Sequence, residues 1–114
     1  MKGSFLPAAA LELESAADYY DDIEPNLGRD FRSEVRRIVT LILEHQRIGH
    51  PVDKGTKTAL REFELNRFPY RLIYSIEAGG IVIVALAHQH RRSSYWRNRV
   101  EEPASNYMTN RLAA

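Results

Sequence analysis

The sequence predicts an α+β fold: an N-terminal strand, an antiparallel helix hairpin packed on a small, mainly antiparallel sheet, and a short C-terminal helix. Three observations carry this. Two segments with helical periodicity lie in the first half, separated by Pro25-Asn26-Leu27-Gly28. Apolar runs of strand length fill the second half, two of them joined by the turn Glu77-Ala78-Gly79-Gly80. The chain has 114 residues and no cysteine, so it is one domain whose core forms without disulfides or thiolate metal sites.

Residues 2–6 read as a short first strand. Pro7 suits the first helical turn, where its missing N–H is not needed. Leu13, Ala16, Ala17, Tyr20 and Ile23 then recur at helical spacing, which predicts a helix over residues 7–23. In the next segment Leu27, Phe31, Val35, Ile38 and Ile42 form an apolar stripe widened by Leu41. Arg29, Arg32, Arg36 and Arg37 are assigned to the other face with Asp30 and Glu34. The short break between the two segments predicts a hairpin of antiparallel helices.

Residues 47–58 read as a polar loop. Strands are expected over residues 60–65, 70–76 and 81–87, giving an antiparallel meander. The continuous apolar run Ile81-Val82-Ile83-Val84-Ala85-Leu86 predicts a central, well-covered strand. Ser93 or Ser94 is placed to cap a last helix through Tyr95, Trp96 and Arg99, and Pro103 ends it. Residues 1–100 form the domain; residues 101–114 form a tail with only Tyr107, Met108 and Leu112 as apolar anchors. Deleting residues 104–114 is expected to leave thermal stability nearly unchanged.

The net charge of +1 conceals an asymmetry. Between residues 59 and 99 the basic residues are Arg61, Arg67, Arg71, Arg91, Arg92, Arg97 and Arg99, set against Glu62, Glu64 and Glu77. A solvated basic face is the plainer reading of that surplus. An anion-binding face for nucleic acid or an acidic partner is the sharper one. No apolar run is long enough to span a bilayer, and no signal-peptide pattern opens the chain, so the expected location is the cytoplasm.

Four segments carry a resemblance: Ala16-Ala17-Asp18-Tyr19-Tyr20, Leu27-Gly28-Arg29-Asp30-Phe31, Phe68-Pro69-Tyr70-Arg71-Leu72-Ile73-Tyr74, and His88-Gln89-His90-Arg91-Arg92 before Tyr95-Trp96. In their order and spacing the chain resembles the RelE/ParE superfamily, toxins of type II toxin–antitoxin modules also described as plasmid stabilisation proteins. The helix pair, the Phe-Pro-Tyr element and the His-x-x-Arg-Arg element resemble the ParE side. The resemblance implies a growth-inhibiting toxin neutralised by a cognate antitoxin. Its implied target is DNA gyrase on the ParE side, or the ribosome and mRNA on the RelE side, where the activity is that of an endoribonuclease. A non-toxic, antitoxin-binding module is a third reading. No cofactor or metal is implied.

The candidate catalytic residues are Arg71, His88, His90, Arg91 and Tyr95. Arg71 is either a structural arginine paired with Glu62 or Glu64, or a holder of phosphate or of an acidic partner group. His88 and His90 are each suited to the role of general base, since histidine is the side chain most often used for it, or simply hydrogen-bond at a strand end. Arg91 is suited to stabilising anionic charge. Tyr95 is suited to stacking on a base, whereas Trp96 reads as a packing anchor. Tyr19, Tyr20 and Phe31 are the candidate contacts for an antitoxin.

Overall fold

The computed structural model describes residues 2–52, 59–91, 93–96 and 99, and all structural statements concern these. Strand β1 (Lys2–Phe5) leads into helix α1 (Pro7–Ile23), helix α2 (Leu27–Glu44), and strands β2 (His50–Val52), β3 (Leu60–Glu64), β4 (Tyr70–Glu77) and β5 (Gly80–His88). The five strands form one sheet in the order β1-β5-β4-β3-β2. β1 runs parallel to β5, and every other pairing is antiparallel. The strand expected over residues 81–87 is β5, which lies inside the sheet between β1 and β4, while β4 holds the centre. Of the expected terminal helix, Ser93–Trp96 is a 3-10 turn and Arg99 is helical; residues 97, 98 and 100 and the tail at residues 101–114 lie outside the described residues.

α1 starts at Pro7, whose fixed φ suits a first helical turn, after Leu6 in an extended conformation. Buried Ala9, Ala16 and Ala17 carry almost no side chain, so α1 lies close to its neighbours. Glu24 closes the helix by donating its N–H to the Tyr20 carbonyl. Asn26 then takes a left-handed conformation at φ 71°, which asparagine tolerates better than most residues. This lets α2 fold back at once. Gly28 sits where the helices touch: a Cβ there would run into the Ala17 carbonyl oxygen. Its N–H donates to Asp21 Oδ1 at 2.8 Å, so a side chain of α1 caps the first turn of α2.

The inner stripe of α2 buries Phe31, Val35, Ile38 and Ile42 as expected. It also buries Glu34, which the sequence assigned to the polar face. The Glu34 carboxylate accepts the N–H groups of Asn66 and Arg67 at 2.6 and 2.9 Å, holding the β3–β4 turn against the helix. Glu34 stands three residues after Phe31 and four before Ile38, and that phase determines its burial despite its charge.

Two further differences from the sequence reading are local. The polar loop at residues 47–58 contains β2, a three-residue edge strand with Pro51 opposite Arg61. An edge strand tolerates a proline that a central one would not. Tyr74 fastens this segment from below, donating its hydroxyl to the Gln46 carbonyl at 2.7 Å and accepting the Gly49 N–H at 3.0 Å. Between β4 and β5 the register slips: Ile73 pairs with Ala85 and Tyr74 with Ile83, so Val84 has no partner residue. The extra residue lies on β5, so simple alternation along β5 does not hold through Val84.

Candidate functional site

β5 loses its parallel partner after Ile83, because β1 ends at Phe5. The backbone groups left beyond that point are taken by side chains. Glu12, on the inner side of α1, accepts the Leu86 N–H at 3.0 Å. Arg99 donates to the Val84 carbonyl at 3.0 Å and to both Glu12 carboxylate oxygens at 2.9 and 3.0 Å. This ion pair closes the strand edge and forms the floor beside a cleft between α1, β5 and the 3-10 turn.

The cleft has a volume of about 320 Å³ and is lined by Leu11, Glu12, Ser15, Ala16, Tyr19, Tyr70, Leu86, His88, Arg91 and Tyr95. Three residues proposed from sequence as catalytic, His88, Arg91 and Tyr95, therefore meet one proposed as a partner contact, Tyr19. A larger open hollow of about 830 Å³ at the end of α2, lined among others by Leu41, Leu43, Ile48 and Ile76, contains none of the candidates.

His88 pairs with Tyr70 across the β4–β5 ladder, and their rings meet edge to face with centroids 5.2 Å apart. The His90 N–H donates to His88 Nδ1 at 3.1 Å, so the neutral imidazole carries its proton on Nε2. The His90 ring lies 5.3 Å from that of His88 but does not line the cleft. The Arg91 guanidinium stands 3.8 Å from the centre of the Tyr95 ring, and Arg99 approaches the same ring at 5.1 Å. Burial, followed by the adjacent Glu12 carboxylate, pushes the Tyr95 phenol well above its ordinary value. Tyr95 is therefore neutral at physiological pH, a hydrogen-bond donor and a stacking surface. Its hydroxyl is buried and finds no partner among the described residues.

Arg71 is elsewhere. It pairs with Ala87, one position along from the Tyr70–His88 pair, and so projects from the opposite face of the sheet. Its side chain is 12% exposed and lies 3.6 Å from the Glu62 carboxylate. It also donates to the carbonyls of Gln89 and Arg91 at 3.4 and 3.5 Å. Arg71 thus braces the turn that presents Arg91, and does not itself reach the cleft.

The proposed antitoxin contacts divide in the same way. Tyr19 is 61% exposed, whereas Phe31 is 0% exposed and packs against Tyr20, Phe68 and Tyr70 at centroid distances of 5.0–5.3 Å. Tyr20 is half-buried in the same cluster, and burial raises its phenol pKa. Phe31 and Tyr20 support the surface; Tyr19 presents it. Sequence reasoning missed Glu12, Ser15 and Tyr70. For Glu12 a signal existed: it lies three residues after Ala9 and four before Ala16, within the inner stripe of α1. Among the described residues no group of three or more His, Cys, Asp or Glu side chains is placed to hold a metal ion.

The sequence profile of the ParE toxins of type II toxin–antitoxin systems (parDE) matches residues 4–93. The chain belongs to the ParE toxin family. Its fold is also similar to a solved structure titled as a chromosomal ParDE toxin–antitoxin system from P. aeruginosa, with a TM-score of 0.65 and 19% sequence identity. That match covers 77% of this chain and 95% of the other. Comparison with curated proteins finds no match. The family match spans the helix hairpin and all of the sheet but Lys2 and Gly3, and reaches the start of the 3-10 turn, so every residue lining the cleft but Tyr95 is a matched one. No helix among the described residues is long and apolar enough to cross a membrane.

Proposed function

We propose that this ParE-family chain arrests growth by binding a macromolecular target, DNA gyrase, and that a cognate antitoxin neutralises it by covering the cleft beside α1. The observation that carries this reading is the family match over residues 4–93. The side-chain arrangement supports a binder over a nuclease. RNA cleavage needs a proton-transfer group and a phosphate-stabilising cation at the same scissile bond. Here Arg71 is engaged with Glu62 on the face opposite His88, and Tyr95 is held neutral, which leaves only His88 and Arg91 of the five candidates at the cleft for that chemistry. The cleft instead offers an exposed arginine, an edge-on imidazole, phenol rings and apolar side chains, a composition suited to a protein segment.

Induction of the chain in a susceptible bacterium tests the target. The expected outcome is the SOS response with DNA breaks, relieved by co-expressing the antitoxin, and inhibition of supercoiling by purified gyrase. Prompt loss of translation with mRNA cut at codons would replace this reading with the ribosome-dependent endoribonuclease.

A further inference from the structure

Several arginines of the surplus between residues 59 and 99 are spent inside the fold. Arg61 donates to the carbonyls of Gly49 and Arg47 at 2.6 and 3.1 Å, Arg71 lies against Glu62, and Arg99 is held by Glu12. The uncommitted guanidinium groups gather on α2 instead. Arg29, Arg36 and Arg37 are exposed and have no ion-pair partner among the described residues. With exposed Ser33 and Thr40 they fall within one face of about 100°, turned away from the buried stripe Phe31, Val35, Ile38 and Ile42. Arg67 of the β3–β4 turn joins this face. It lines an open hollow of about 220 Å³ together with Arg37, and Arg37 lines a second, of about 450 Å³, with Arg36, Ser33 and Thr40. Two accessible carboxylates approach the four guanidinium groups: Asp30, 3.7 Å from Arg67, and Glu44 at the far end of the helix. Glu34 also lines the smaller hollow, but its carboxylate is taken up by the N–H groups of Asn66 and Arg67. The face carries no large exposed apolar side chain among the described residues.

We infer that this outer face of α2, with Arg67, contacts the phosphate backbone of duplex DNA. The inference rests on the gyrase reading above, whose target holds duplex DNA, and adds a second contact outside the cleft. A protein partner needs apolar anchors that exclude water, and this face offers none. A nucleic-acid interface is instead polar and cationic, and its phosphate oxygens accept from arginine, serine and threonine alike. From Arg29 to Arg37 the helix rises about 12 Å, a length over which one strand of a duplex sets about three or four phosphates. The row thus matches a single stretch of backbone. Contacts of this kind read no base edges, so the binding is independent of sequence.

The test titrates the whole chain into a fluorescent DNA duplex of about 20 base pairs, read by anisotropy between about 0.05 and 0.3 M salt, with supercoiling by purified gyrase assayed beside it. Neutralising about three phosphates gives log affinity against log salt a slope of about −3, the same for two unrelated sequences. The double variant R36A/R37A is expected to weaken duplex binding by about 10-fold or more at the lowest salt and to reduce that slope by about 2. Arg47→Ala removes an exposed arginine just beyond the end of α2, off this face, and is expected to keep the parent slope. All three positions are exposed, so melting temperatures are expected to stay within a few degrees of the parent. A parent chain that inhibits gyrase but does not bind the duplex overturns the inference and leaves the gyrase reading intact. Duplex binding that R36A/R37A weakens, in a chain without effect on gyrase, supports the inference and overturns the gyrase reading. An equal loss per arginine in Arg47→Ala assigns the binding to net charge and overturns the row. A preference of about 10-fold or more for duplex RNA, or displacement of the duplex by poly-glutamate at equal charge, assigns the face to another partner and overturns the inference.

Discussion

The Glu12 carboxylate accepts the Leu86 N–H at 3.0 Å, joining two residues 74 positions apart. It supplies the acceptor that β1 no longer provides beyond Ile83. The second helix does the same with Glu34 and the β3–β4 turn. Both helices thus fasten the end of the sheet where β4 begins and β5 finishes, each through a glutamate on its inner face, and the cleft is framed by the first of these fastenings.

Substitution of Glu12 by alanine is expected to destabilise the fold by about 2–4 kcal/mol, because it leaves Leu86 N–H without its acceptor and the Arg99 guanidinium without its carboxylate, with only the Val84 carbonyl remaining, in a largely buried place. Glu12→Gln keeps one acceptor oxygen and is expected to cost about half as much. Urea unfolding of the two variants checks the order.

Glu34→Ala is expected to cost a similar amount, about 2–4 kcal/mol, or roughly 10–20 °C in melting temperature, since two backbone donors lose a charged acceptor. A loss below 1 kcal/mol would mean that water replaces the carboxylate without penalty. Calorimetric melting reads the difference.

Alkaline conditions are expected to unfold the protein. Burial is the first cause of the raised phenol pKa of Tyr20, Tyr70, Tyr74 and Tyr95. The unfolded chain therefore loses these protons first as pH rises past the ordinary value of 10.0. It then binds fewer protons than the folded chain, so stability is fully present below that pH and is lost as pH climbs towards the folded values. Each tyrosine contributes at most about 1.4 kcal/mol per pH unit. Tyr95→Phe is the probe, because it removes the buried hydroxyl beside Glu12 and keeps the ring. It is expected to change stability at pH 7 by less than about 1 kcal/mol and to flatten the decline above pH 10.

Much of this fold was legible because its signals are periodic. The stripes from Leu13 to Ile23 and from Leu27 to Ile42, and the break between them, gave both helices. What was missed lacked a phase or was read by residue type. β2 is three residues long, too short for alternation to register. The run from Ile81 to Leu86 is apolar at every position, so nothing in it could reveal that Val84 is unpaired. Glu34 was assigned to the polar face because it is charged, and Glu12 was missed, although the spacing of each puts it among buried neighbours. The same distinction explains the site. His88, Arg91 and Tyr95 lie at one strand end and line one cleft. Arg71 is close in the sheet but belongs to its other face, and Phe31 is aromatic but wholly buried.

Arg71→Ala is expected to act through the turn it braces. Loss of its contacts with Glu62, Gln89 and Arg91 frees the segment that carries Arg91, with a stability loss of about 1–2 kcal/mol. Toxicity is expected to fall, and Arg71→Lys to restore it only in part, because an ammonium group lacks the planar fork that reaches two carbonyls and a carboxylate together. Full toxicity of a folded Arg71→Ala chain would show that the turn holds its shape unaided.

Arg91 separates bracing from binding. Its side chain is exposed and rests on the Tyr95 ring, and no carboxylate pairs with it among the described residues. Removing an exposed cation that stabilises little is expected to leave the melting temperature within a few degrees of the parent. The cation nevertheless stands at the mouth of the cleft, where a target's anionic group would meet it against a flat aromatic backing. Arg91→Ala is therefore expected to reduce growth inhibition at least 10-fold, a loss of one charge-assisted contact of about 1.5–3 kcal/mol. Arg91→Lys keeps the charge and is expected to retain part of the activity. Dose–response growth curves under a titratable promoter, run beside thermal melts of the same purified variants, distinguish the two roles. Arg71→Ala is expected to lower stability and toxicity together, and Arg91→Ala to lower toxicity alone. If Arg91→Ala stays fully toxic, the target contact lies away from this cleft, and the cleft serves the antitoxin only.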